Sequence, residues 1–286
     1  MSSLSKEHIL HRLWQLEALR RLSVRRYMTS NALILLLLLA LGPVVATFGG
    51  VLFVWGLEGV RELTALEERN LLYFSTFVVN AAFIHFTIIF SAIAFGMSVV
   101  REELDNQTLH LLWMQPLPRW LIVAGKAAGF FTYAIPIILV AIIACQFMIV
   151  LPYGLQGIWS FYFRLEIFQT YFLQFLVVVT GLLVYSSLFL MLSVFLKSPV
   201  VIFLVYGWEL GSNFLPGVLK NYSVAFYLRE MLPGEDQTAG IPAGFIAPET
   251  PGALQTALVL IGTLVISTAV SALVINRKPC IYGSGG

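Results

Sequence analysis

No Lys, Arg, Asp or Glu occurs from Asn31 to Leu57, from Leu71 to Val100, from Ile167 to Leu196 or from Ala253 to Ile275. Two further apolar runs, Trp120 to Leu151 and Val200 to Val218, are each broken by one charge, Lys126 and Glu209. The hydrocarbon core of a bilayer is about 30 Å thick and takes about 20 helical residues to cross. These runs therefore predict an all-α membrane protein with six transmembrane helices. The third run is long enough to require tilt or a kink at Pro136. Composition agrees: 59% of residues are hydrophobic and 11% charged, with mean hydropathy +0.87, against about 25% charged in soluble domains. Intrinsic disorder and a free cytosolic enzyme are both excluded.

Charge placement orients the spans, because Lys and Arg collect on the cytoplasmic side. Lys6, Arg12, Arg20, Arg21, Arg25, Arg26, Arg101, Arg119, Lys126, Lys197, Arg277 and Lys278 fall on one face, 12 of the 17 basic residues. The other face holds Arg61, Arg69, Arg164, Lys220 and Arg229 with nine acidic residues, Glu58, Glu62, Glu67, Glu68, Glu166, Glu230, Glu235, Asp236 and Glu249. Both termini are expected in the cytoplasm, in a multi-pass protein of the inner or cell membrane. An even number of crossings follows, which supports the short fifth span. The net charge of +2 gives no reason to expect a nucleic-acid partner.

Residues 1–30 are expected to form an amphipathic elbow helix at the inner leaflet, with Ile9, Leu13, Leu16 and Leu19 at three- and four-residue spacing. A plain basic stop signal is the alternative. The six-span domain covers 31–278, with an extracytoplasmic segment at about 219–252 and a flexible tail at 279–286 ending in Gly-Ser-Gly-Gly.

Catalytic motifs are absent: there is no GxSxG, no HExxH and no phosphate-cradling glycine loop before Gly125-Lys126. Cys145 and Cys280 form neither a disulfide framework nor a metal-binding CxxC, and His8, His11, His85 and His110 form no intramembrane metal cluster. No catalytic, metal or cofactor site is expected on this chain.

The segment between spans two and three reads Arg101-Glu102-Glu103-Leu104-Asp105-Asn106-Gln107-Thr108-Leu109-His110-Leu111-Leu112-Trp113-Met114-Gln115-Pro116-Leu117-Pro118-Arg119. Early acidic residues suit a helix N-terminus, Leu109, Leu112 and Trp113 give an apolar face, and Pro116 and Pro118 stop the helix. A cytoplasmic helix at about 101–116, hinged between two spans, can receive motion from a soluble partner. The stretch resembles the permease subunits of ABC-2 type ABC transporters, whose second cytoplasmic element reads like E-R-E-x-G-T-L-E-x-L-L-x-x-P-x-x-R followed by G-K. Glu103, Thr108, Leu109, Leu111, Leu112, Pro116, Arg119, Gly125 and Lys126 fit; Gln107 replaces the glycine and His110 the second acidic residue.

The resemblance implies a half-transporter. Its partners are an ATP-binding cassette ATPase subunit, which holds ATP and Mg²⁺, and a second permease copy, as a homodimer or related heterodimer, among membrane lipids. It implies that Glu102, Glu103, Thr108, Leu109, Leu112, Trp113, Pro116 and Arg119 couple to the ATPase. Arg119 and Lys126 also fit ordinary positive-inside charge.

Polar groups inside spans are candidate pathway residues. Asn80, His85, Gln146, Gln174, Glu209 and Asn213 qualify. Tyr206, Glu209 and Asn213 follow one helical face, with Gly207 and Gly211 on a neighbouring one. This face lines a cavity or serves packing; His85 is a cavity residue or an interhelical hydrogen-bonding group. The predominantly apolar and aromatic spans point to a lipid, glycolipid, drug or peptide as cargo, exported, or to a role in maturing an extracytoplasmic protein. An ion- or proton-coupled secondary carrier using Glu209 and His85 is the competing reading.

Overall fold

The computed structural model describes residues 3–28, 31–58, 74–96, 118–151, 165–195, 199–211, 220–232 and 251–277. Every regular element among them is a helix: α1 Ser3–Met28, α2 Asn31–Glu58, α3 Phe74–Gly96, α4 Arg119–Val150, α5 Leu165–Phe195, α6 Pro199–Gly211, α7 Val224–Glu230 and α8 Ala253–Arg277. Five are long and apolar enough to cross a membrane, namely α2, α3, α4, α5 and α8. Helices are what such sequences must form, because hydrocarbon offers no partner for an open backbone N–H or C=O.

The expected fifth crossing is described only as α6. Its 13 residues rise about 20 Å at 1.5 Å per residue, short of a ~30 Å core. The rest of that run, with Asn213, lies outside the described residues. So do the coupling segment at 101–117, most of the extracytoplasmic segment and the C-terminal tail.

Side-chain pairings fix the relative direction of the spans. Phe95 stacks on Phe130 at 4.5 Å between centroids, while Ser75 and Gln146 both reach Gln174, so α3 and α4 are antiparallel. Ser75 meets Gln174, Ile88 lies at Gly181 and Gly96 lies against Phe189, so α3 and α5 are parallel. Leu36 and Leu39 line one small cavity with Phe130 and Tyr133, and Thr47 lies close to Cys145, which makes α2 parallel to α4. Successive spans α2 to α5 therefore alternate in direction, as repeated crossings of one bilayer require.

Buried polar groups weld this frame. Gln174, wholly buried, accepts from Ser75 Oγ at 3.2 Å and from Gln146 Nε2 at 3.1 Å, and donates to Thr76 at 3.1 Å. Three spans thus share one amide. Ser187 and Ser267 join α5 to α8 at 2.7 Å.

A second weld repairs a proline. Pro43 lies inside α2 and has no N–H to offer the carbonyl four residues earlier. That carbonyl, Leu39 O, instead accepts from Thr87 Oγ1 of α3 at 3.0 Å. Thr87 is wholly buried and sits in a ten-residue π-helical stretch, Val79–Ile88. The same hydroxyl lies 3.1 Å from Ala82 O, five residues back, the spacing of a π turn.

Close approach of α3 to α5 depends on Gly96, where an added Cβ would lie 2.8 Å from the backbone oxygen of Phe189. Gly207 of α6 has nothing within 4 Å of that position.

Thr87→Val keeps the shape of the side chain but leaves Leu39 O without its donor. Thermal unfolding of the purified protein in detergent should show a loss of about 1–3 kcal/mol, whereas Thr87→Ser stays near the parent. Gly96→Ala should lose about 1–3 kcal/mol by overpacking; Gly207→Ala should lose nothing, since alanine suits a helix better than glycine.

Candidate functional site

The π-helical stretch gives α3 an unusual middle. The span runs from Phe74 to Gly96, so His85 sits at its midpoint. His85 Nδ1 lies 2.9 Å from Asn80 O, again five residues back. Side chains at 85 and 87 thus both bind carbonyls of the wide turn, a local reason for this segment to leave α-helical geometry. π segments in longer helices commonly mark functional positions.

Asn80 and His85 are half-buried, and Phe77 and Phe86 beside them are exposed. The buried Asn80 Oδ1 has no hydrogen-bond partner among the described residues. An aromatic ladder continues the face: Phe86 packs on Phe90 at 4.9 Å, and Phe90 on Tyr206 of α6 at 4.8 Å. Mid-span, then, α3 and α6 present a strip that is polar at Asn80 and His85 and aromatic from Phe77 to Tyr206.

Of the residues singled out in the sequence, Tyr206 and His85 belong to this strip. Glu209 does not. It is 3% exposed and turned into the bundle, where its carboxylate accepts from Ser223 Oγ at 2.6 Å and from the backbone N–H groups of Val224 and Ala225, each at 3.2 Å. Ser223 in turn accepts from Phe226 N at 3.3 Å as the N-cap of α7. A negative charge at the first turn of a helix is favourable, and a buried carboxylate needs such donors. Glu209 accordingly ties α6 to the short buried helix α7. Of its two expected roles, cavity and packing, this geometry fits packing.

The coupling residues Glu102, Glu103, Thr108, Leu109, Leu112, Trp113 and Pro116, together with Asn213, lie outside the described residues. Arg119 opens α4. Among the described residues no group of three or more His, Cys, Asp or Glu could hold a metal ion.

The sequence did not single out Thr76, Thr87 or Ser223, three hydroxyls whose partners lie on other helices. Ser223 carried a usable signal, a serine directly preceding an apolar helical turn. Thr87 and Thr76 carried none, since threonine in an apolar helix normally bonds within its own turn.

Glu209→Ala should lower stability by about 1.5–3 kcal/mol, the value of hydrogen bonds to a charged acceptor. Ser223→Ala should lower it by about 1 kcal/mol, the usual effect of losing a cap. Both are read by thermal unfolding in detergent, and equal effects at the two positions would contradict the carboxylate's leading role.

Comparison with curated proteins and with solved structures returns no match for either. A family model does match: residues 25–207, well over half of the chain and every described span from α2 to α5, fit the model of the ABC-2 family transporter protein. That match and the alternating apolar helices make this a multi-pass membrane transport subunit, and the chain belongs to the ABC-2 transporter permease family.

Proposed function

We propose that this chain is the permease half of an ATP-driven exporter. Two copies, or this chain and a related one, enclose a pathway between their spans, and a separate ATP-binding cassette subunit hydrolyses ATP with Mg²⁺. The observation that carries this reading beyond family membership is the strip on α3 and α6. A half-exposed histidine at the centre of a span is costly against lipid and is favoured where it faces protein or a water-filled pathway. Asn80 and His85 then face the pathway, flanked by Phe77, Phe86 and Tyr206.

That strip suits an amphipathic cargo. Aromatic rings take an acyl chain or apolar body, and the ring nitrogen of His85 and the Asn80 amide meet a polar head. A lipid, glycolipid, amphipathic drug or peptide fits better than a small hydrophilic solute, because pathway walls of this composition reward apolar burial. Both termini face the cytoplasm under the positive-inside rule. The 101–116 segment serves as the coupling helix, with Glu103 contacting the ATPase. A secondary carrier centred on Glu209 is disfavoured, since that carboxylate is already engaged by three donors within the chain.

Purification from the native membrane in mild detergent should recover an ATP-binding subunit in fixed ratio with this chain. Glu103→Ala should reduce the ATPase activity of that complex by tenfold or more, an effect equivalent to about 1.4 kcal/mol or more of lost coupling, without reducing membrane insertion. Recovery of the chain alone, with no associated ATPase under conditions that preserve complexes, contradicts the exporter reading.

A further inference from the structure

Helix α4 is longer than a bilayer needs. Its apolar stretch has 31 residues, Trp120–Val150, against 21 in α2, Leu33–Phe53. At 1.5 Å per residue these are about 46 and 32 Å, and only the second matches a ~30 Å core. The pairings of α2 with α4 say where the excess lies. Leu36 and Leu39 lie at Phe130 and Tyr133, and Thr47 lies at Cys145. Helix α2 therefore covers α4 from about Phe130 upward, leaving the first two to three turns of α4 beyond the span.

Helix α1 covers those turns. Leu19 lies against Gly125, Ser23 against Gly129 and Tyr27 against Tyr133, the last pair 5.3 Å between ring centroids. Position advances by four on both helices at each step, so α1 runs alongside α4 in the same direction and not across its base. The approach leaves no room for a side chain at either glycine. A Cβ at Gly125 would lie 2.6 Å from Leu19 Cβ, and one at Gly129 would lie 2.6 Å from Ser23 Cβ and 3.3 Å from Arg20 O. Gly125 and Gly129 are thus a small-xxx-small pair with its partner seated on it. Arg20 adds a bridge, donating to Thr132 Oγ1 at 3.2 Å while its other nitrogens hold Glu17 at 2.7 Å. Arg20 and Arg21 thereby sit level with Lys126 and Ala127, beyond the α2 span, where headgroups and water, not acyl chains, can receive their guanidinium groups.

We propose that α1 and the base of α4 form a parallel two-helix stalk on the cytoplasmic side, in which Gly125 and Gly129 are positioning residues that make the pair move as one body. The stalk stands directly after the 101–117 segment in sequence. A thrust delivered there reaches α4 at its first turn and, through α1, also reaches α2, so two parallel spans shift together. This rests on the reading of the chain as an ATP-driven permease.

The test uses the complex with its ATPase, in a background carrying Cys145→Ala and Cys280→Ala, with spin labels at Phe53→Cys and Phe168→Cys near corresponding ends of α2 and α5. The distance between labels is measured without nucleotide and after trapping with ATP and vanadate. The parent should show a shift of several ångströms. Gly129→Leu, which wedges the stalk apart, should abolish the shift while the complex still hydrolyses ATP. Ser23→Gly with Gly129→Ala, which removes the Cβ on one helix and adds one on the facing helix, should keep it. A full shift in Gly129→Leu, or none in the parent, overturns the stalk.

Should Gly129→Leu fail to fold, a Tyr27→Cys, Tyr133→Cys pair, at the ring contact between α1 and α4, decides the matter in the same cysteine-free background without spin labels. Bridging by a short bifunctional maleimide should form readily and leave ATP hydrolysis within twofold of the unbridged form; failure to cross-link, or inactivation on cross-linking, overturns the proposal. If no ATPase accompanies the parent, the permease reading fails instead, and the cross-link still reports whether α1 and α4 are clamped.

Discussion

A bilayer interior supplies no hydrogen-bond partner, so a helix that opens there is stabilised when another part of the chain supplies the missing bond. Pro43 opens α2 at Leu39 O, and Thr87 closes the gap from α3. The residue that does so belongs to the one stretch where α3 itself widens into a π-helix, and His85 and Thr87 bind that stretch's own carbonyls. Proline and π turn are therefore two halves of one arrangement. It places the open carbonyl of α2 beside the middle of α3, in the same π-helical stretch that carries the half-buried Asn80 and His85. Without the Thr87 hydroxyl, Leu39 O would be left unsatisfied inside the bundle, at a cost of about 1–3 kcal/mol.

The same constraint explains which polar residues were legible from sequence. Hydropathy and charge placement located the described spans because length and the absence of charge suffice for that. They also flagged Gln146, Gln174, His85 and Glu209, since any polar group in such a run stands out. What each one does was not legible. Gln174 and Glu209 look alike in sequence, yet Gln174 welds α3, α4 and α5, whereas Glu209 caps a helix that begins fifteen residues later. The cap depends on a chain reversal between α6 and α7 that no local pattern encodes. The α1 stripe was readable only in part: Leu16 and Leu19 are half-buried but Leu13 is exposed, because the packed face is chosen by the glycines of α4 and passes through Leu19, Ser23 and Tyr27.

Electrostatics at the base of α4 follow from this packing. Glu17 accepts from Arg20 and from Arg21 at 2.7–2.8 Å, and these hydrogen bonds hold its carboxyl down at about 2. A depressed acid contributes its stabilisation above its ordinary pKa and loses it as pH falls toward the lowered value. The clasp is thus complete throughout the physiological range and is a fixed part of the helix, not a pH sensor. Two arginines are thereby neutralised in part by one carboxylate.

The proposed function requires that the mid-span strip of α3 border a pathway and not lipid. It is tested most directly by replacing His85 with cysteine, in a background free of Cys145 and Cys280, and treating the purified complex in lipid vesicles with a small hydrophilic maleimide. Labelling that is readily detected, and that changes severalfold between the nucleotide-free and ATP-trapped states, is the predicted result. A position 85 thiol that stays unreactive in both states, yet reacts fully once the membrane is dissolved and the protein unfolded, would place His85 against lipid or sealed protein and contradict the account.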